Sequence, residues 1–140
     1  MEREINETYL GFIQNIIDRM GQNSFHAKEW CVTVISALMA FYITQDGVLA
    51  RPLTAATAAV VTVLFAFIDA YYLHLERGYR FLYKVAVLIE EDDTIKPLSM
   101  SRPMKYRGAK PFFKALFSLS TGLFYLVILI GIFFLYLFTV

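Results

Sequence analysis

The sequence predicts an all-α membrane protein. Three transmembrane helices are expected, with an N-terminal amphipathic cytoplasmic helix and a long second helix that extends into the cytoplasm. Three observations carry this. Hydrophobic residues are 58% of the 140-residue chain and charged ones only 18%, with a mean hydropathy of +0.54. A soluble domain of this size has too little interior to hide that much apolar surface. Apolar residues also recur at steps of three and four, the helical period. Finally, "AFIDAYYLHLERGYRFLYKV" (Ala66–Val85) starts as the end of a span and finishes in charge, with no proline and only Gly78 as a weak interruption.

One unit, 1–140, is all that the length allows. A net charge of +1 gives no reason to expect nucleic acid as a partner. The lone Cys31 excludes an internal disulfide and a Cys-based zinc site. Because the first twenty residues are acidic and amphipathic rather than basic and then apolar, no cleavable signal peptide is expected.

The first element, 1–22, carries Ile5, Tyr9, Phe12, Ile13, Ile16, Ile17 and Met20 on one side of a helix, with Glu4, Glu7, Gln14, Asp18 and Arg19 opposite. Its Arg3 and Arg19 face Glu2, Glu4, Glu7 and Asp18, whereas a membrane-surface helix is normally rich in Lys and Arg. The apolar stripe is therefore expected to pack on protein. Gly21 should end this helix, and Asn23 or Ser24 should cap the next.

The first span, 26–45, is long enough only if Lys28 snorkels and Trp30 sits at headgroup level, which makes these two the interface anchors. "TQDG" (Thr44–Gly47) then breaks the chain, and Pro52 restarts it as a first helical residue, so the first two spans form a hairpin. The second span is 52–75, with a cytoplasmic extension to about 89. In its first half "TAATAAVVT" is small and hydroxylated, which allows a close neighbour. Residues 90–111 form a cytoplasmic loop that runs from acidic to basic, and 112–140 form the third span. Arg3, Arg19 and Lys28 precede or open the first span and nine basic residues, Arg77 to Lys114, follow the second, against Arg51 alone between the first two. The excess places the N-terminus and the long loop in the cytoplasm, with Val140 outside.

No nucleophile–base–acid set, metal spacing or glycine-rich phosphate loop is visible, so neither an enzyme nor a cofactor is expected. His26 and His74 lie near the cytoplasmic ends of different spans, where lone histidines are usually interfacial residues. Asp69 is the sharpest single residue, about 24 Å along the helix from Leu53. With Thr54, Thr62, Tyr72, Glu76 and, one turn on, Arg80, it forms a polar stripe that could couple the bundle to the cytoplasmic part. An intramembrane acid is a functional candidate. The plainer reading pairs it with Lys28, Arg77 or a neighbouring hydroxyl to hold the helices in register. Small faces at Thr33, Ser36, Ala37, Ala40 and Thr44, and at Ser118, Thr121 and Gly122, read as close packing more readily than as a pore, and homo-oligomerisation would bury them. The basic cluster Arg102, Lys105, Arg107, Lys110 and Lys114 reads as a contact with anionic headgroups. A ligand such as a signal nucleotide would want similar charges, but no folded cradle organises them.

Two segments, "YLGFIQNIIDRMGQNSFHAKEWCVTVISAL" (Tyr9–Leu38) and "FAFIDAYYLHLERGYRFLYKV" (Phe65–Val85), resemble small bacterial multi-span membrane proteins found with antiviral defence systems, loosely similar to SLATT-type effectors. The resemblance rests on Asn23, Ser24, Phe25, Lys28 and Trp30, then Asp69, Tyr71, Tyr72, Glu76, Arg80 and Tyr83. It implies an oligomeric effector of the bacterial inner membrane that perturbs or permeabilises the bilayer when a cytoplasmic protein or signal acts on it. Two alternatives stand beside it. One is a non-conducting anchor or accessory subunit that docks a soluble partner through the N-terminal helix. The other is a small transporter subunit using Asp69.

Overall fold

Proline is absent from Glu7 to Thr44, and from Ala50 to Ala86 it stands only at Pro52, within the first helical turn where a missing N–H costs nothing. Two uninterrupted helices result in the computed structural model: α1, Glu7–Thr44, and α2, Ala50–Ala86, of 38 and 37 residues. At 1.5 Å per residue each is a rod of about 55 Å, well beyond a bilayer's hydrocarbon core of about 30 Å. A short 3₁₀ turn, Met104–Tyr106, precedes α3, Ala109–Leu116, and α4, Leu119–Thr139. The structure describes residues 6–44, 49–87, 91–96 and 98–139, and among these there is no strand.

Three of the helices are long and apolar enough to cross a membrane: α1, α2 and α4. α1 and α2 pack antiparallel along their length, and α4 joins them over only one half. That half holds a core of Cys31, Ile35, Tyr42, Ala55, Ala58, Ala66, Tyr125 and Ile132. The other half is a two-helix head centred on Ile13, Ile17 and Leu82, with Tyr9, Tyr79, Tyr83 and Ile95 packed around it.

The exposed side chains form an apolar belt that covers part of the bundle. On α2, Leu53, Val60, Val63, Leu64, Phe67, Ile68 and Tyr71 face outward, and beyond Tyr71 no large apolar side chain of that helix is exposed. On α1 the exposed series runs from Phe25 to Ile43, with Phe12 the one outlier before it; on α3 and α4 it runs from Phe113 to Phe138, with Leu98, Met100 and Met104 exposed in the segment before α3. The α1 and α2 limits, near Phe25 and Tyr71, lie beside the contact of Ser24 with Asp69 and so at one level of the bundle. An apolar belt on the outside of a folded chain is tolerable when its solvent is lipid.

Several expected boundaries are corrected. The amphipathic segment 1–22 and the span 26–45 are not separate helices: Gly21 and Ser24 lie inside α1. A glycine in a helix interior costs only about 1 kcal/mol relative to alanine, and packing on both sides outweighs that. A Cβ at Gly21 would stand 3.7 Å from Glu76 Oε2, an ordinary contact, so the glycine is not needed for α2 to approach. The expected third span, 112–140, is two helices. The chain bends at Phe117 and Ser118, where the two helices meet so closely that a Cβ on Gly122 would stand 3.4 Å from the Leu116 carbonyl. Pro52 is the third residue of α2 rather than the first. α2 ends at Ala86, and the expected continuation to Ile89 lies outside the described residues, as do Glu2–Ile5, most of "TQDG", Pro97 and Val140.

Candidate functional site

Asp69 lies on the buried side of α2 at one end of the apolar belt and is wholly inaccessible. An ionised carboxylate there needs partners, because an unpaired buried charge costs several kcal/mol. α1 runs antiparallel, so Ser24 and Lys28, one turn apart, arrive at the same level. Lys28 Nζ lies 2.5 Å from Asp69 Oδ2, and the Ser24 hydroxyl donates to Asp69 Oδ1. From α4, Thr121 Oγ1 donates to Oδ2 at 3.4 Å, and the Lys28 ammonium stands 6.0 Å from the Phe124 ring centroid. The Tyr125 hydroxyl, one turn further along α4, is buried close to Asp69 but outside hydrogen-bond geometry.

One carboxylate therefore joins all three spans. Sixteen residues separate Lys28 from Thr44 and Leu53 from Asp69, about 24 Å each, so the knot closes one end of the bundle. The far side of it is dry: the core there is aliphatic and aromatic, and Thr62 turns its hydroxyl back to the Ala58 carbonyl at 2.8 Å.

Lys28 thus turns inward instead of snorkelling. Its side chain is 18% exposed because Asp69 would otherwise be an uncompensated charge. Trp30, 62% exposed, does face outward. The polar stripe is not one network. Thr54 bonds the Ala50 carbonyl on its own helix, and Tyr72 meets Tyr71 edge-on at 5.9 Å. Glu76 pairs with Arg80 at 2.6 Å. The two histidines do not meet: His26 pairs with Glu29 at 2.7 Å, whereas His74 Nε2 lies 3.2 Å from an Arg102 guanidinium nitrogen.

The basic cluster is divided. Arg102, Lys105 and Arg107 belong to a strap that lies on the head. Arg102 and Tyr106 sit over Gly78, where a Cβ would stand 3.3 and 3.4 Å from them. Lys105 covers the Phe81 ring at 4.9 Å, and Arg107 Nε donates to the Arg102 carbonyl. Tyr9 Oη donates to the Ser99 carbonyl at 2.5 Å, tying the strap to α1. Lys110 and Lys114 instead stand exposed on α3, whose C-terminal carbonyl at Lys114 accepts a bond from Arg77 at 3.2 Å. Sequence reasoning reached Ser24 as a helix cap and as one of the positions that carry the resemblance, reached Thr121 only as a small packing residue, and missed Tyr125. The signal for the last two was their i,i+4 spacing at the polar end of an otherwise apolar helix.

Among the described residues, no group of three or more His, Cys, Asp or Glu is placed to hold a metal ion. Set against protein-family models, curated proteins and solved structures, the chain matches none.

Proposed function

We propose that this chain is an oligomeric, non-enzymatic membrane effector of the bacterial inner membrane, of the kind that serves antiviral defence. Its two-helix head receives a cytoplasmic partner or signal and passes the displacement into the bundle, which then perturbs the bilayer. The observation that supports this is the continuity of α1 and α2 through the membrane boundary. Two joined helical rods transmit a tilt or rotation of the head directly, and Asp69 lies where that motion would enter the spans. The excess of basic residues around the head supports a cytoplasmic head, with the α1–α2 turn and the C-terminus outside. The apolar core of a single chain supports permeation between copies rather than through one.

Co-expression with neighbouring signalling genes, read by a membrane-potential dye, tests this reading. Depolarisation that depends on the trigger and changes in Asp69→Asn is the expected result. Potential held under every trigger would overturn it.

A second reading, the non-conducting anchor, draws support from the paired state of Asp69 and the strapped head, both of which favour a rigid platform. A fixed soluble partner recovered from detergent, with no conductance in liposomes, would select it.

A further inference from the structure

His74 and Gly78 stand one turn apart on α2 and together seat the strap of residues 98–107. At Gly78 the strap comes so near that a Cβ would stand 3.3 Å from Arg102 and 3.4 Å from Tyr106. That closeness brings the Arg102 guanidinium to 3.2 Å from His74 Nε2. A guanidinium has only donors and keeps its charge, so it donates and Nε2 accepts. The ring is therefore neutral with its proton on Nδ1, and that N–H is buried without a hydrogen-bond partner. The surroundings offer little to an imidazolium. The charges that act on the ring are those of Arg102 and Arg77, both positive. Within the strap, Lys105 and Arg107 add two more cations, over Phe81 and on the Arg102 carbonyl. α3 presents the Phe112 ring edge-on at 6.3 Å, and its charged residues, Lys110 and Lys114, are exposed cations. α4 has no charged residue. On α1 and α2, Asp69 is held by Lys28, Glu76 by Arg80 and Asp18 by Gln14, while Arg19 is exposed.

We infer that His74 is a proton-operated latch: its neutral ring holds Arg102, and protonation releases the strap from the head. A proton on Nε2 replaces the acceptor with an N–H aimed at a guanidinium, and the two like charges then face each other at a buried position. The bond requires the unprotonated ring, so its contribution is present at high pH. It is lost as pH falls through the range of about 5–8 in which imidazoles titrate. Release uncovers Phe81, which Lys105 covers at 4.9 Å and the Tyr106 ring at 5.4 Å. The inference needs only the head and its strap, not effector activity, so a failure of the depolarisation experiment leaves it intact.

The test uses the full chain in liposomes, with Cys31→Ala and a nitroxide on Met104→Cys, an exposed position of the strap. Spectra are recorded from about pH 8 to about pH 5, well above the acid window of Asp92. The label should be ordered at the upper limit and mobile at the lower. Below about pH 6.5 the closed-to-open ratio should fall by up to about tenfold per pH unit, because closure excludes one proton. His74→Gln, whose side-chain oxygen accepts from Arg102 and never charges, should keep the label ordered throughout. Arg102→Gln removes the facing cation and should also flatten the response. His26→Gln, at the exposed histidine that pairs with Glu29, should leave it unchanged. Helix content by circular dichroism should stay constant across the titration. A label unmoved between the two limits, a response kept in His74→Gln or Arg102→Gln, a response lost in His26→Gln, or helix content that falls in step with it, would overturn the inference.

Discussion

The α1–α2 hairpin is built twice from one pair of helices, and its two halves use opposite side chains. Inside the membrane belt the buried face of α2 reads Thr54, Ala55, Ala58, Thr62, Ala66 and Ala70. In the head it reads His74, Glu76, Gly78, Phe81, Leu82 and Val85, with Leu82 packed against Ile13 and Ile17 of α1. Water explains the change. In the head, burying a Leu or Ile removes apolar surface from water, worth about 1.5–3 kcal/mol per side chain. In the belt, lipid is as apolar as the helix, so association needs close backbone approach, dispersion and a few polar ties. Asp69 sits between the two regimes and supplies such a tie.

The largest way to break this comparison is at the tie itself. Asp69→Leu leaves the Lys28 ammonium buried and alone, and Lys28→Met does the reverse. Each should destabilise by about 3–5 kcal/mol, while the double replacement should recover most of the loss. Unfolding in mixed detergent micelles, run as a double-mutant cycle, measures this.

Next come paired substitutions that separate the regimes. Leu82→Ala should cost about 2–5 kcal/mol by emptying the head core. Ala58→Leu, at a position with no exposure, should cost about 1–3 kcal/mol by forcing the spans apart. Hydrogen exchange should localise the first loss to the head, at 9–17 and 79–86, and the second to the belt.

A smaller effect lies at Gly108, whose φ of +102° belongs to glycine. Gly108→Ala should cost about 1–3 kcal/mol of local strain, read as increased exchange in α3 with the α1–α2 seam unaffected.

The smallest is a pH effect in the strap. Asp92 accepts from the Thr94 hydroxyl at 2.5 Å and from its N–H at 3.0 Å, and these bonds hold its carboxyl below the ordinary value of 3.8. Its contribution is therefore present above that value and is lost as pH falls through the lowered one. The Thr94 amide resonance should shift in that acid window, and Asp92→Asn should abolish the shift.

Much of this architecture was legible in the residues. α2 could be followed past Tyr71 because Ile68, Tyr72, Leu75, Tyr79 and Leu82 keep the helical period while the outward residues turn polar. The mating of Ile13 and Ile17 with the α2 extension followed from two apolar stripes that each lacked a cover. α1 was harder to read. Gly21, Asn23 and Ser24 form the local signature of a stop and a cap, and only the tertiary fold turns Ser24 into a partner for Asp69. The break at Phe117 was hidden for the opposite reason: neither proline nor glycine marks it, and Gly122 serves it from five residues downstream. Lys28 is legible as a charge at a helix end, but whether it points to water or inward depends on where Asp69 arrives across the hairpin.

The central claim is that three helices cross one boundary together at the level of Asp69 and that two of them continue beyond it unbroken. With Cys31 replaced by Ala, single nitroxide labels along 18–34, 62–84 and 112–126 in liposomes can be read for oxygen and nickel-chelate accessibility. The switch from lipid to water should fall near Phe25 on α1, Tyr71 on α2 and Phe117 before α4, at matching depths, with helical periodicity kept through the switch on α1 and α2. Switch points more than a turn apart in depth, or periodicity lost at Gly21 or near Leu75, would contradict it.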